Sequence, residues 1–204
     1  MDDHTTHPQL DPDLLGKLHA SGVEHDAAQS DRLLRRRNLE PESAALLAVT
    51  LRAMGARRMA EIGTSNGYSA IWFADALRAN GGEPLLSVDL DAPAQREAAA
   101  NLAAAGLAAH VELRAADGGT VLRELPDGGL DALFLDAERT EYAGWWPHPR
   151  RVLRPGGLLI VDNVLSHPDE VAEFLALVEA DEEFTSATTA RIGKGLHLAV
   201  RKTG

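Results

Sequence analysis

The sequence predicts an α/β fold: a mostly parallel sheet with helices on both faces. From residue 57 onward, short apolar runs alternate with segments of helical length. The runs are apolar almost throughout rather than at every second residue, as strands buried on both faces are. Four of the five runs end in an acid, and the carboxyl ends of parallel strands are where such sheets bind ligands.

Residues 1–8 read as a frayed terminus. Two helices are expected near 10–20 and 26–37. A third starts at Pro41, a first-turn position, runs through Ala44, Leu47, Leu51 and Met54 at helical spacing, and stops at Gly55. RRMAEI (57–62) is the first strand, and 67–78 the helix after it. PLLSVD (84–89) is the second strand, followed by a helix over 92–105 that Gly106 closes. HVELRA (110–115) is the third, with a short helix through Val121 and Leu122. LDALFLD (130–136) is the fourth, with a helix over 141–153. GGLLIVD (156–162) is the fifth, entered through Pro155-Gly156-Gly157. A helix over 168–180 precedes a closing antiparallel hairpin, EFTSATTARI and GLHLAVR, which turns at Gly193-Lys194. Five strands and the hairpin make a seven-stranded sheet. Without an internal repeat or a low-complexity linker, the 204 residues read as one domain.

Composition excludes several function classes. Without cysteine there are no disulfides, thiolate metal sites or cysteine nucleophiles. No apolar run is long enough to span a bilayer, and the polar, acidic start has no signal-peptide pattern, so a cytoplasmic protein is expected. Twenty basic against 31 acidic residues leave a net charge of −11, which disfavours nucleic acid and anionic membranes as partners. The one basic cluster, Arg35, Arg36 and Arg37, reads as decoration of an exposed helix.

The strand tips read Glu61-Ile62-Gly63, Asp89, Ala116-Asp117, Asp136 and Asp162-Asn163. Between the first strand and its helix lies EIGTSNGYS (61–69). Gly63 allows a tight turn and Gly67 a close backbone approach, at a helix start whose free N–H groups suit an anion. The spacing is E-x-G-x-x-x-G. It is neither the dinucleotide G-x-G-x-x-G nor a P-loop, which argues against an NAD(P)-dependent oxidoreductase.

AEIGTSNGYSAIWFADAL, LLSVDLD, NLAAAGL, FLDAERTEY and LRPGGLLIVDNVLSH stand in the order and spacing of class I S-adenosylmethionine-dependent methyltransferases. The chain resembles the catechol and caffeoyl-CoA O-methyltransferases and their bacterial relatives over about residues 30–202, through five motifs in register. The resemblance implies a Rossmann-like methyltransferase fold and a cytoplasmic enzyme that methylates a small-molecule hydroxyl. Relatives are often dimers, so a homodimer is the expected assembly.

The resemblance also implies roles. Glu61, Gly63, Thr64, Ser65 and Gly67 would line the methionine half of the cofactor, with Tyr68 and with Ser69 at its carboxylate. Asp89 would take both ribose hydroxyls, with Leu90 beside it, and Asp117 would approach the adenine amino group, although AADG replaces the usual Gly-Asp-Ala. Asp136 would face both the cofactor's amino group and a metal. Asp136, Asp162 and Asn163 are hard oxygen donors, suited to Mg²⁺, Ca²⁺ or Mn²⁺. In the family such a cation holds a vicinal diol and acidifies its hydroxyl. Much of the family reads Asp-Ala-Asp-Lys where this chain has Asp136-Ala137-Glu138-Arg139. A guanidinium cannot serve as the base that the Lys is proposed to be. Arg139 then stabilises a phenolate or steers an acidic substrate, and deprotonation falls to the metal, Glu138, His148 or His167. Asp136, Arg139 and His167 form the candidate catalytic set.

Trp145 and Trp146 read either as an acceptor wall or as packing anchors. Two other readings share the fold. A nucleic-acid methyltransferase would need an Asn/Asp-Pro-Pro-type turn with an aromatic platform, which DNVL lacks. A non-catalytic, cofactor-binding relative with a regulatory or assembly role is the reading that Arg139 keeps open.

Overall fold

The computed structural model describes residues 10–31 and 35–203; the expected frayed terminus at 1–8 lies outside them. Helix α1 (Pro12–Ala28) is capped by Asp11, whose carboxylate accepts the Asp13 N–H at 2.9 Å. It is one helix where two were expected. Gly22, one of its two glycines, lets Asn38 pack against the helix, since a Cβ there would stand 2.4 Å from the Asn38 amide. Beyond Ala28 the chain leaves the helix, because the Asp26 carboxylate accepts the N–H groups of Arg36 (2.5 Å) and Arg37 (2.8 Å). The expected helix over 26–37 is therefore corrected, except at 32–34, which lie outside the described residues.

Next come α2 (Pro41–Ala53), β1 (Met59–Ile62), α3 (Tyr68–Ala79), β2 (Leu85–Asp89), α4 (Ala92–Ala104), β3 (Val111–Ala115) and α5 (Gly118–Glu124). These fall within two residues of the sequence reading. After β4 (Leu130–Leu135) the single helix expected over 141–153 is two short ones, α6 (Tyr142–Trp145) and α7 (His148–Val152). The break is at Pro147, which has no N–H to continue the helix. Strand β5 (Leu153–Val161) starts three residues before the expected 156. Leu153 pairs with Leu130 and the register then shifts, so that Ala132 pairs with Leu158; the Pro-Gly-Gly turn is thereby absorbed as an irregularity within the strand. α8 (Pro168–Ala180), β6 (Phe184–Ala190) and β7 (Leu196–Arg201) complete the chain.

The seven strands lie in the order β3-β2-β1-β4-β5-β7-β6, parallel from β3 to β5, with β7 antiparallel to both its neighbours. The order reverses between β1 and β4, the switch point at whose carboxyl ends such sheets bind ligands. One face carries α2 and α3, where Phe73 meets Phe134 edge-on at 5.1 Å. The other buries Val152, Val171, Phe174 and Val178 from α7 and α8. Each such buried side chain contributes about 1.5–3 kcal/mol relative to exposure. Among the described residues no helix is long and apolar enough to cross a membrane.

Candidate active site

The loop after β1 has little freedom. Gly63 sits at φ +111, and a Cβ there would stand 2.0 Å from the Asp136 carbonyl oxygen, so the loops after β1 and β4 touch backbone to backbone. Gly67, at φ +84, leads into α3. Ser65, held in the left-handed region, gives its N–H to Asp89 Oδ2 at 2.8 Å and its hydroxyl to the Arg36 carbonyl at 2.8 Å. Asp89 Oδ1 accepts the Asp91 N–H at 2.9 Å. Both carboxylate oxygens at the tip of β2 are thus oriented by backbone before a ligand arrives, with lone pairs left for donors in the cleft.

Behind the loop lies a buried polar chain. The Gln95 amide donates to Thr64 Oγ1 (3.0 Å), Thr64 pairs with Ser87 Oγ (2.6 Å), and Ser87 donates to Glu61 Oε1 (2.6 Å). Ser69 donates to Glu61 Oε2 at 2.9 Å. The Ser69 hydroxyl proton is therefore committed to Glu61 while the residue also lines the cleft. Burial outweighs the two serine bonds and pushes Glu61 up to about 8. A carboxyl raised on folding binds its proton more tightly in the native state, so stability falls as pH rises from about 4.5 to about 8. Denaturant midpoints across that window should decline less steeply in Glu61→Gln than in the native sequence. Equal slopes would refute the assignment.

At the far end of the cleft Leu90 is 69% exposed, a large apolar side chain beside Asp89. Asp117 caps α5 through the Thr120 N–H (2.7 Å), and its bonds to Thr120 hold its carboxyl below the usual range. Trp145 packs on Gly118 and Gly119, with its indole nitrogen 2.6 Å from where a Gly119 Cβ would be, and it also lines the cleft. Trp146 instead meets Phe174 at 5.9 Å. Of the two readings offered for these tryptophans, both fit packing, and the wall that Trp145 also forms belongs to the larger cleft and not to the smaller one.

At the tips of β4 and β5, the Asn163 amide donates to Asp136 Oδ1 at 2.7 Å, leaving its own oxygen for a further partner. Asp162 is 2% exposed, and its Oδ1 has no hydrogen-bond partner. Burial, with each carboxylate repelling the other, raises Asp162 to about 8, and burial also raises Asp136. An orphaned buried oxygen and an adjacent carboxylate in want of positive charge fit a hard cation. Among the described residues no cluster of three or more His, Cys, Asp or Glu side chains is arranged to hold a metal. The donor set is two carboxylates and an amide.

Tyr142, unmarked in the sequence reading, accepts the Ala137 N–H at 2.6 Å and fixes the turn after Asp136. Arg139 is 2% exposed, and its Nε and Nη2 reach Glu170 of α8 at 2.9 and 2.7 Å. It ties the β4 loop to α8 while lining a second, smaller cleft with Asn163 and His167. His167 Nδ1 lies 2.9 Å from Ser166 Oγ. His148 sits beside Arg151 and lines neither cleft. Glu138 lines the larger one. The basic triplet is corrected: instead of decorating an exposed helix, Arg35, Arg36 and Arg37 lie along the cleft mouths. Lys194, seen only as a hairpin turn in the sequence, also lines the smaller cleft.

The larger cleft encloses about 1050 Å³ of non-atom space including its open mouth. Its walls run from Asp117 past Asp89 and the glycine loop to Asp136, where the smaller cleft begins at Asn163. This sheet order, with a glycine-turned β1 loop and an acid ending β2, defines a Rossmann-like methyltransferase.

The chain belongs to the O-methyltransferase family, whose pattern it matches over residues 16–194. It is 31% identical over 131 residues to a catechol O-methyltransferase of Niastella koreensis, a match spanning 63% of this chain and 58% of that one. A catechol O-methyltransferase of Mycobacterium tuberculosis is 30% identical over 163 residues, 80% of this chain and 70% of that one. Among solved structures, the O-methyltransferase TomG of Streptomyces achromogenes, involved in tomaymycin synthesis and in complex with SAM, superposes with a TM-score of 0.76. It is 27% identical, over 94% of this chain and 91% of that one.

Proposed function

We propose that the protein transfers a methyl group from S-adenosylmethionine to a hydroxyl of a small catechol-like acceptor, assisted by a divalent cation. The observation that carries this reading is the Asn163–Asp136 hydrogen bond, which joins a residue lining the smaller cleft to one lining the larger. The larger cleft has the acids and small residues that a nucleoside with a methionine tail needs, and the smaller begins where that tail would end. The cofactor supplies an electrophilic methyl on a sulfonium, and the cation supplies Lewis-acid stabilisation of an oxyanion.

The chain's own residues do the rest. Asp89, held by two backbone N–H groups, accepts from the ribose hydroxyls. Leu90 covers the adenine, and Asp117 stands at its edge. Asp136, Asp162 and Asn163 would hold the cation, and Asp162 Oδ1, which has no hydrogen-bond partner, is an oxygen it could engage. An acceptor hydroxyl bound in the smaller cleft would have to give up its proton before its oxygen could take the methyl group that the cofactor would supply. Arg139 cannot take that proton, because a guanidinium stays charged. Tied to Glu170, it offers positive charge to a developing phenolate. His167 lines the smaller cleft, and it is the side chain to which the reading assigns the proton.

Incubation with S-adenosylmethionine, Mg²⁺ and catechols should give methyl ethers detectable by mass spectrometry. Chelation should lower the rate by about 100-fold or more. Mg²⁺ should also raise the melting temperature of the native protein and leave Asp162→Asn unmoved. An equal thermal shift in both would remove Asp162 from the cation site.

A further inference from the structure

Resting on the methyl-transfer reading above, we infer that the acceptor carries an anionic group of its own, a carboxylate or phosphate monoester, bound in the smaller cleft by Arg37 with Arg35. Four cations line that cleft, Arg35, Arg37, Arg139 and Lys194, against one lining carboxylate, Asp26. Their existing partners account for only part of this charge. Arg139 is paired with Glu170 and Lys194 with Glu40 at 2.9 Å. Asp26 spends its two oxygens on the backbone N–H groups of Arg36 and Arg37.

The Arg35 guanidinium donates to the neutral Gln29 carbonyl, at 3.2 and 3.0 Å. Arg37 is half-buried, and among the described residues its guanidinium has no carboxylate within ion-pair distance. It attracts Asp136 through space. Arg36, between them, turns aside to Glu97. Two guanidinium groups without carboxylate partners therefore share the wall of one cleft, in a chain of net charge −11.

Setting a half-buried guanidinium without a carboxylate in ion-pair contact is costly unless a ligand supplies one. The guanidinium fork matches a carboxylate or phosphate through two parallel hydrogen bonds. Arg37 lines both clefts, so an anion on it would sit beside the acceptor's reacting end rather than at a remote surface. The net charge of the whole chain repels anions at long range, so this recognition is local, and salt should weaken it only through screening at the site.

The test is calorimetric titration of the full chain, saturated with S-adenosylhomocysteine and Mg²⁺. The probes are catechol, protocatechuate (the same diol with a ring carboxylate) and a catechol bearing a phosphate monoester on a short arm. At least one anionic probe should bind about tenfold tighter than catechol, and the tighter arm identifies the anion. That advantage should shrink between about 0.1 M and about 1 M salt, and in Arg37→Gln it should fall to about threefold or less. Arg37→Lys should retain part of it.

Anionic probes that bind no tighter than catechol would overturn the inference, as would an advantage that survives in Arg35→Gln/Arg37→Gln. If the glutamine variants fail to fold, the native protein decides through salt, because an advantage that salt leaves unchanged also overturns it. Heat from S-adenosylhomocysteine with no discrimination among probes refutes this inference alone. Absent heat from S-adenosylhomocysteine refutes the methyl-transfer reading beneath it.

Discussion

Asp89→Ala should weaken S-adenosylhomocysteine binding by about 100-fold. Two charge-assisted hydrogen bonds to the ribose are lost and water replaces part of them; a net loss of about 2.7 kcal/mol corresponds to that factor. The same change releases the Ser65 N–H, which the carboxylate holds at 2.8 Å, so the glycine loop loosens as well. Asp89→Asn keeps an acceptor for one backbone N–H and should lose about tenfold, which separates charge from geometry. Calorimetry measures both, and binding of the Ala variant within about threefold of the native protein would remove Asp89 from ribose recognition.

Gly63→Ala should cost about 3 kcal/mol or more of stability and abolish measurable cofactor binding. Its Cβ would lie 2.0 Å from the Asp136 carbonyl oxygen, and φ is +111, so neither contact nor backbone conformation is tolerable. The two loops must part, and the wall of the larger cleft that Gly63 and Asp136 form opens with them. At about 2–4 °C per kcal/mol for a chain of this size, the melting temperature should fall by about 6–12 °C. Gly55→Ala is the control: φ is +65, but the space around it is open, so it should cost about 1 kcal/mol and leave binding intact. Equal effects of the two substitutions would show that the β1–β4 contact has no special role.

The parallel strands and their acids were legible in the sequence because burial on both faces leaves a continuous apolar run, and an acid at its end has no core role. The helices with strong starts and stops, such as Pro41–Ala53 and Pro168–Ala180, were legible for the same local reason. What the sequence hid was tertiary. Gly22 lets Asn38 pack against its helix, and Arg36 and Arg37 leave the helix because Asp26 accepts their N–H groups. Both partners are at least ten residues away, beyond any local pattern.

The cleft role of Arg35 and Arg37 was hidden with that turn, although three adjacent arginines in an acidic chain were a visible signal. Tyr142 was unreadable because its hydroxyl acts on a backbone N–H, which leaves no pattern of spacing. Arg139 was readable as a departure from its relatives, but its ion pair with Glu170, 31 residues on, was not.

The cleft at the tips of β1, β2 and β4 is expected to bind S-adenosylmethionine for methyl transfer. Calorimetric titration of the native protein with S-adenosylhomocysteine, the demethylated product, tests it most directly. The account predicts one site per chain at micromolar or tighter affinity, lost in Gly63→Ala and weakened about 100-fold in Asp89→Ala. No heat with the native protein, or unchanged binding in both variants, would contradict it.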